Sequence, residues 1–157
     1  MKKPLKKIVG FNFSLTGLGT WLSISSLPNL EVLKLKGSSF EGRQWNASEQ
    51  QFQQLKLLRL KELDIVHWKA YNTSFSCLKR LSLWDCIVLE EIPVDIGEIA
   101  TLELIETNGQ KASVVESVKR IQKEQYDEGN TELKITVDEI ELSMYLSEHE
   151  DSEFESE

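Results

Sequence analysis

Apolar residues recur along the chain with an unequal spacing of three, three and two. Leu27, Leu30, Leu33 and Leu35 set the pattern, which returns at Phe52, Leu55, Leu58 and Leu60, then at Phe75, Leu78, Leu81 and Leu83. Further copies read Ile96, Ile99, Leu102 and Leu104 downstream and Leu5, Ile8, Phe11 and Phe13 upstream. All twenty positions are large and apolar, where a chain that is 40% hydrophobic gives about eight by chance. With Phe11, Leu33, Leu58, Leu81 and Leu102 as markers, successive copies lie 22, 25, 23 and 21 residues apart.

The spacing has a physical cause. The last two apolar residues of each copy are two apart, so they share one face of a short strand. The earlier pair turns the chain inward before that strand. A helical bundle needs spacings of three and four sustained over a longer window, and here a spacing of two interrupts each run. Each coil can bury its apolar residues only against the next coil, so the unit has to repeat. The period falls in the 20–29 residue range of leucine-rich repeats. The predicted fold is an α/β leucine-rich-repeat solenoid, with about five repeats over residues 1–111 and a parallel strand ladder on its concave side. Three residues past each strand such a coil bends, and a small polar group there satisfies backbone amides. Thr16, Ser38, Cys86 and Thr107 take that place, with Leu63 the exception.

Beyond Leu104 the pattern changes. Ser113 and Glu116 have capping-box spacing. Val114, Val115, Val118 and Ile121 mark one helical face, and Gly129-Asn130 supply the stop. Leu133, Ile135 and Val137 alternate as a strand. Residues 112–137 are therefore expected to form a C-terminal cap of helix then strand. Residues 138–157 hold nine Asp or Glu and no Lys or Arg, and read as an acidic tail, mostly disordered. The formal net charge of −8 belongs to that tail, since the preceding 137 residues carry 17 acids against 18 bases. Leu5 enters the pattern at once, with no room for an N-terminal cap, so the chain reads as the C-terminal part of something longer.

Composition and charge narrow the function. A chain of 157 residues is the length of one domain. Its longest apolar run, Cys86 to Leu89, is far below the ~20 residues of a membrane-spanning helix, and no secretory signal is visible. Cys77 and Cys86 make no disulfide framework and fit a reduced, cytoplasmic protein. His67 and Cys86 lack an orienting partner and an oxyanion hole, and the two Cys and two His lack zinc-site spacing. Gly17-Leu18-Gly19 is followed by Leu22 where a dinucleotide loop needs its third glycine, and no P-loop occurs. No enzyme activity, metal or cofactor is expected. Asn12, Asn46 and Asn72 begin Asn-x-Ser sequons, which matter only in a secreted chain.

What remains is surface. Residues between the buried leucines face out of the concave side: Lys34, Lys36, Arg59, Lys61 and Arg80, with Trp84 beside them. Strands lie about 4.8 Å apart, so these charges form a compact ladder rather than scattered points. Such a ladder suits an acidic protein surface or the chain's own acidic tail, against the plainer reading of solvated decoration. One tryptophan is too little for a nucleic-acid site.

Leu27-Pro28-Asn29-Leu30-Glu31-Val32-Leu33-Lys34-Leu35 resembles the repeat opening of plant intracellular NLR immune receptors. Phe75-Ser76-Cys77-Leu78-Lys79-Arg80-Leu81, with Cys86 and Leu89-Glu90-Glu91-Ile92-Pro93 after it, is similar to a later repeat of theirs. Ile99 to Glu106, Ser117-Val118-Lys119-Arg120-Ile121-Gln122 and Leu133-Lys134-Ile135 resemble the closing segment of the late blight resistance proteins of nightshades, which are coiled-coil, nucleotide-binding, leucine-rich-repeat receptors. The likeness covers roughly residues 5–137. It implies a protein-recognition module in innate immunity and disease resistance, without its coiled-coil and nucleotide-binding parts. The implied partners are proteins: a pathogen effector, a guarded host protein or the receptor's own nucleotide-binding module. It further implies a cytoplasmic location, with peripheral membrane association open to a full-length receptor. The alternatives are an extracellular leucine-rich-repeat receptor fragment and a truncated stand-alone decoy or regulator.

Overall fold

The computed structural model describes residues 6–11, 14–15, 27–37 and 39–143. A seven-stranded sheet runs through them. It comprises β1 (Lys7–Phe11), β3 (Val32–Lys36), β6 (Leu57–Lys61), β8 (Arg80–Trp84), β9 (Leu104–Asn108), β10 (Lys134–Val137) and β11 (Ile140–Leu142) in that spatial order. Every pairing is parallel except the last, β10 with β11. Chain order matches spatial order, so each coil leaves the sheet and returns one strand further along. Two short parallel pairs accompany the returning arms: β2 (Ser14–Leu15) with β4 (Ser39–Phe40), and β5 (Gln44–Asn46) with β7 (His67–Lys69). This is a leucine-rich-repeat solenoid.

Register explains the core. Leu33, Leu58, Leu81, Ile105 and Ile135 pair side by side and are all 0% exposed. Two residues on, Leu35, Leu60, Leu83 and Thr107 form a second buried row. Period-two alternation carries both rows to the same side of the sheet. Leu30, Leu55, Leu78 and Leu102 are buried where each coil turns in. Trp45 stacks on Trp68 at 5.2 Å and Phe52 on Phe75 at 5.4 Å. Trp45 also meets Phe75 edge-on at 5.7 Å, so aromatic rings fill the wide side of two successive coils.

The sheet corrects two of the five markers. Leu33 pairs with Ile8, not Phe11, and Leu81 pairs with Ile105, not Leu102. The repeat lengths are then 25, 25, 23 and 24. Both errors are slips of three, because runs such as Ile96, Ile99, Leu102 and Ile105 fit the template in two registers. Thr107 and Gly10 stand where the other coils place leucine, and that pulled the alignment toward Leu104 and Phe13. Thr107 accordingly is not the bend residue of its coil but a buried strand residue, its hydroxyl donating to the Thr136 carbonyl at 3.2 Å. Gln110 takes the bend: its Nε2 donates to the Asn108 carbonyl as Cys86 Sγ donates to that of Trp84, one coil earlier. Thr16 and Ser38 lie outside the described residues.

The helix α1 (Ala112–Asp127) packs Val114, Val118 and Ile121 against the last coils. It rests on a 3₁₀ turn over Val94–Glu98, where a side chain on Gly97 would lie 2.7 Å from Ile121 Cγ2. Ser117 Oγ accepts the Ile92 amide at 3.0 Å and donates to the Val114 carbonyl at 2.7 Å, joining helix to solenoid. The expected capping box does not form. Lys111 is the N-cap residue, so Ser113 already sits inside the first turn, and no side chain caps that end. The other end stops as expected. Gly129 at φ 95 lets its amide bond to Tyr126 and that of Asn130 to Gln125, a Schellman closure.

Residues 138–142, read as the start of the tail, instead complete a hairpin. Val137 pairs with Ile140, leaving Asp138 and Glu139 as a two-residue turn with φ of 49 and 68. The previous coil holds it: Asn108 Oδ1 accepts the Glu139 amide, and Asp138 Oδ1 accepts the Gly109 amide, both at 3.0 Å. Residues 144–157 lie outside the described residues.

Candidate protein-recognition face

Three rows of side chains face out of the sheet. The first runs Lys7, Val32, Leu57, Arg80, Leu104 and Lys134. The second runs Val9, Lys34, Arg59, Ser82, Glu106, Thr136 and Glu141. In the third, Lys36, Lys61, Trp84 and Asn108 follow one another. The sheet therefore brings all six candidate residues, Lys34, Lys36, Arg59, Lys61, Arg80 and Trp84, onto one face. Arg80 stands apart from the others, exposed in a row of half-buried apolar side chains. Lys7 and Lys134 extend the positive charge; Lys7 was missed because the upstream copy was read three residues out of register.

The band is polarised. Cations crowd β3, β6 and β8, while Glu106 and Glu141 sit at the β9–β11 end beside the single cation Lys134. Lys61 Nζ lies 5.8 Å from the centre of the Trp84 ring, a cation–π contact, and the Trp84 indole donates to Ser82 Oγ at 2.8 Å. Trp84 is thereby fixed as a flat, half-buried platform. Lys7 foremost, then burial and Arg59, lowers the Lys34 pKa, the mark of like charges held close. Arg59 Nε is buried without a hydrogen-bond partner. Among the described residues the ion pairs are Lys56 with Glu31, Lys111 with Glu90 and Lys123 with Asp127, and none involves the band. Among the described residues no acid pairs with these cations, which repel one another, and a negatively charged group laid over the face would relieve that.

Cys86 lies beneath this face, 0% exposed, its thiol donating to the carbonyl oxygens of Leu60 at 3.5 Å and Trp84 at 3.6 Å. Burial pushes its pKa from the ordinary 9.0 up to about 11, the opposite of an activated nucleophile. His67 is exposed on β7, in the outer two-stranded sheet. With its folded pKa raised, Cys86 contributes stability that is full below about pH 9 and is lost as pH climbs through about 11. Urea midpoints should fall across that window, and a Cys86→Ser variant should lose most of the slope. At pH 8 a thiol-alkylating reagent should modify half-buried Cys77 well before Cys86.

No family model matches the chain. It is 37% identical over 117 residues to late blight resistance protein homolog R1B-13 of Solanum demissum, an alignment covering 73% of this chain and 10% of that protein. Homolog R1B-23 of the same species is 38% identical over 118 residues, 74% of this chain and 9% of the relative. This chain is homologous to a segment of the late blight resistance proteins. It spans about one tenth of the length of the relatives it matches. Among the described residues no helix is long and apolar enough to cross a membrane.

Proposed function

We propose that the chain is the protein-recognition segment of a plant innate immune receptor, and that its concave band of Lys34, Lys36, Arg59, Lys61, Arg80 and Trp84 receives an acidic surface of another protein. The partner is a pathogen effector, a guarded host protein or the receptor's own nucleotide-binding module, held inactive through this contact in the cytoplasm. The observation that carries the reading is the band of cations with no ion-pair partner among the described residues, beside a fixed tryptophan, on a chain 37% identical over 117 residues to a late blight resistance protein homolog. Such a surface recognises charge and shape without chemistry at a reacting atom. Co-precipitation with the nucleotide-binding module, comparing the native chain with Lys34→Glu/Arg59→Glu/Lys61→Glu, tests it. Loss of the complex supports the reading, and an unchanged complex removes the band from it.

A further inference from the structure

The cationic band has a candidate occupant within the same chain. Residues 144–157 contain Glu148, Glu150, Asp151, Glu153, Glu155 and Glu157 and no Lys or Arg. They follow directly on Ser143, just past β11, the last strand of the sheet that carries the band. From β11 the order runs β10, β9, β8, β6 and β3. At about 4.8 Å per strand, β6 and β3 lie roughly 20–25 Å away. Fourteen extended residues span up to roughly 46–50 Å, twice what is needed.

Spacing and polarity agree with reach. Glu153, Glu155 and Glu157 alternate, so an extended segment presents them on one side about 6.6 Å apart. Lys34 and Lys36, and likewise Arg59 and Lys61, are also two residues apart along their strands. Near its point of departure such a segment meets Glu106 and Glu141 beside the single cation Lys134, and the denser cations of β6 and β3 attract it further along the sheet.

We infer that residues 144–157 dock on their own concave face, over Lys34, Lys36, Arg59, Lys61 and Trp84, as an internal occupant that an acidic partner has to displace. The inference rests on the reading of that face as an acidic-surface binder. A tether of this length gives an effective concentration of roughly 1 mM. An intrinsic Kd on the order of 100 μM then keeps the face about nine-tenths covered. A competing partner binds about tenfold more weakly than to an open face.

The test uses the full chain with Cys77→Ser and a spin label on Ser152→Cys, the buried Cys86 thiol remaining unlabelled. Docking predicts selective signal loss at the Trp84 indole N–H and at the amides of residues 34–36 and 57–61, reversed by Lys34→Glu/Arg59→Glu and by high salt. Lys34 and Arg59 are half-buried cross-strand partners, so Lys34→Gln/Arg59→Gln, which removes their mutual repulsion without setting two carboxylates side by side, is run beside the reversal to separate lost charge from lost fold. In parallel, a synthetic poly-glutamate peptide is titrated into the native chain and into a full-length variant with all six acids of 144–157 neutralised. About tenfold tighter binding to the neutralised chain supports docking. Equal binding to both, with no signal loss on the ladder, overturns self-docking and leaves the acidic-partner reading standing. If the peptide binds neither chain, both readings fall.

Discussion

Ile105→Ala should lower the unfolding free energy by about 3 kcal/mol, whereas Leu104→Ala should cost under about 1 kcal/mol. The two residues are neighbours and equally apolar, and the repeat spacing alone favours Leu104 as the buried one. The sheet reverses that. Ile105 pairs with Leu81 and Ile135 in the fully buried row, so its truncation leaves a cavity between three coils. Leu104 pairs with Arg80 on the outer face and is only half-buried. Urea unfolding followed by circular dichroism separates them. Equal costs would mean that the fifth coil does not have the register described above.

Reversing charge at Lys34, Arg59 and Lys61 together should weaken binding to an acidic protein partner on the order of 100-fold. Each partly solvated charge contact contributes roughly 1 kcal/mol, and three of them together amount to about two powers of ten. Much of the loss should fall in the association rate, because a band of one sign steers the encounter. Thermal stability should stay about level, since Glu at position 34 gains attraction to Lys7 while Glu at 34 and 59 still face each other as a like-charged pair. Surface plasmon resonance at low and moderate salt reads both effects. A loss confined to dissociation, with no salt dependence, would point to packing on Trp84 instead of charge.

The solenoid was legible in the sequence because its rule is written in apolar residues. Leu33, Leu58 and Leu81 bury identically, and identical burial demands similar side chains. The ends of the array were harder. Ile105 and Thr107 continue the buried rows with a polar residue where leucine is usual, and Gly10 takes the register position of a leucine at β1. Hydrophobic spacing cannot see a threonine whose hydroxyl is satisfied by a neighbouring carbonyl. The closing hairpin escaped for a similar reason. Its Asp138-Glu139 turn is held by the Asn108 and Asp138 side chains, and two acids in sequence look like tail. The stacked Trp45 and Trp68 lie on the returning arms, outside the leucine template, and only the pairing of β5 with β7 aligns them. The concave residues of β3, β6 and β8 could be listed in advance, because alternation from a correctly placed leucine fixes them. Lys7 could not, for it depended on the register of β1.

The helix start shows the same division. Val114, Val118 and Ile121 were readable from their spacing, as was the Gly129 stop. The first residue of the helix was not. Lys111, whose ammonium sits 2.8 Å from Glu90 one coil earlier, occupies the N-cap, and a contact 21 positions away leaves no local trace.

The most direct measurement is site-specific photocrosslinking in plant tissue. A photoreactive residue is placed at Lys61 on the concave band, or at Tyr126 on the exposed side of α1. Adducts with the proposed acidic protein partner should form from position 61, fade on Lys34→Glu/Arg59→Glu, and be absent from position 126. Adducts from position 126 with none from position 61 would contradict the account, and would place recognition on the cap instead of the strand ladder.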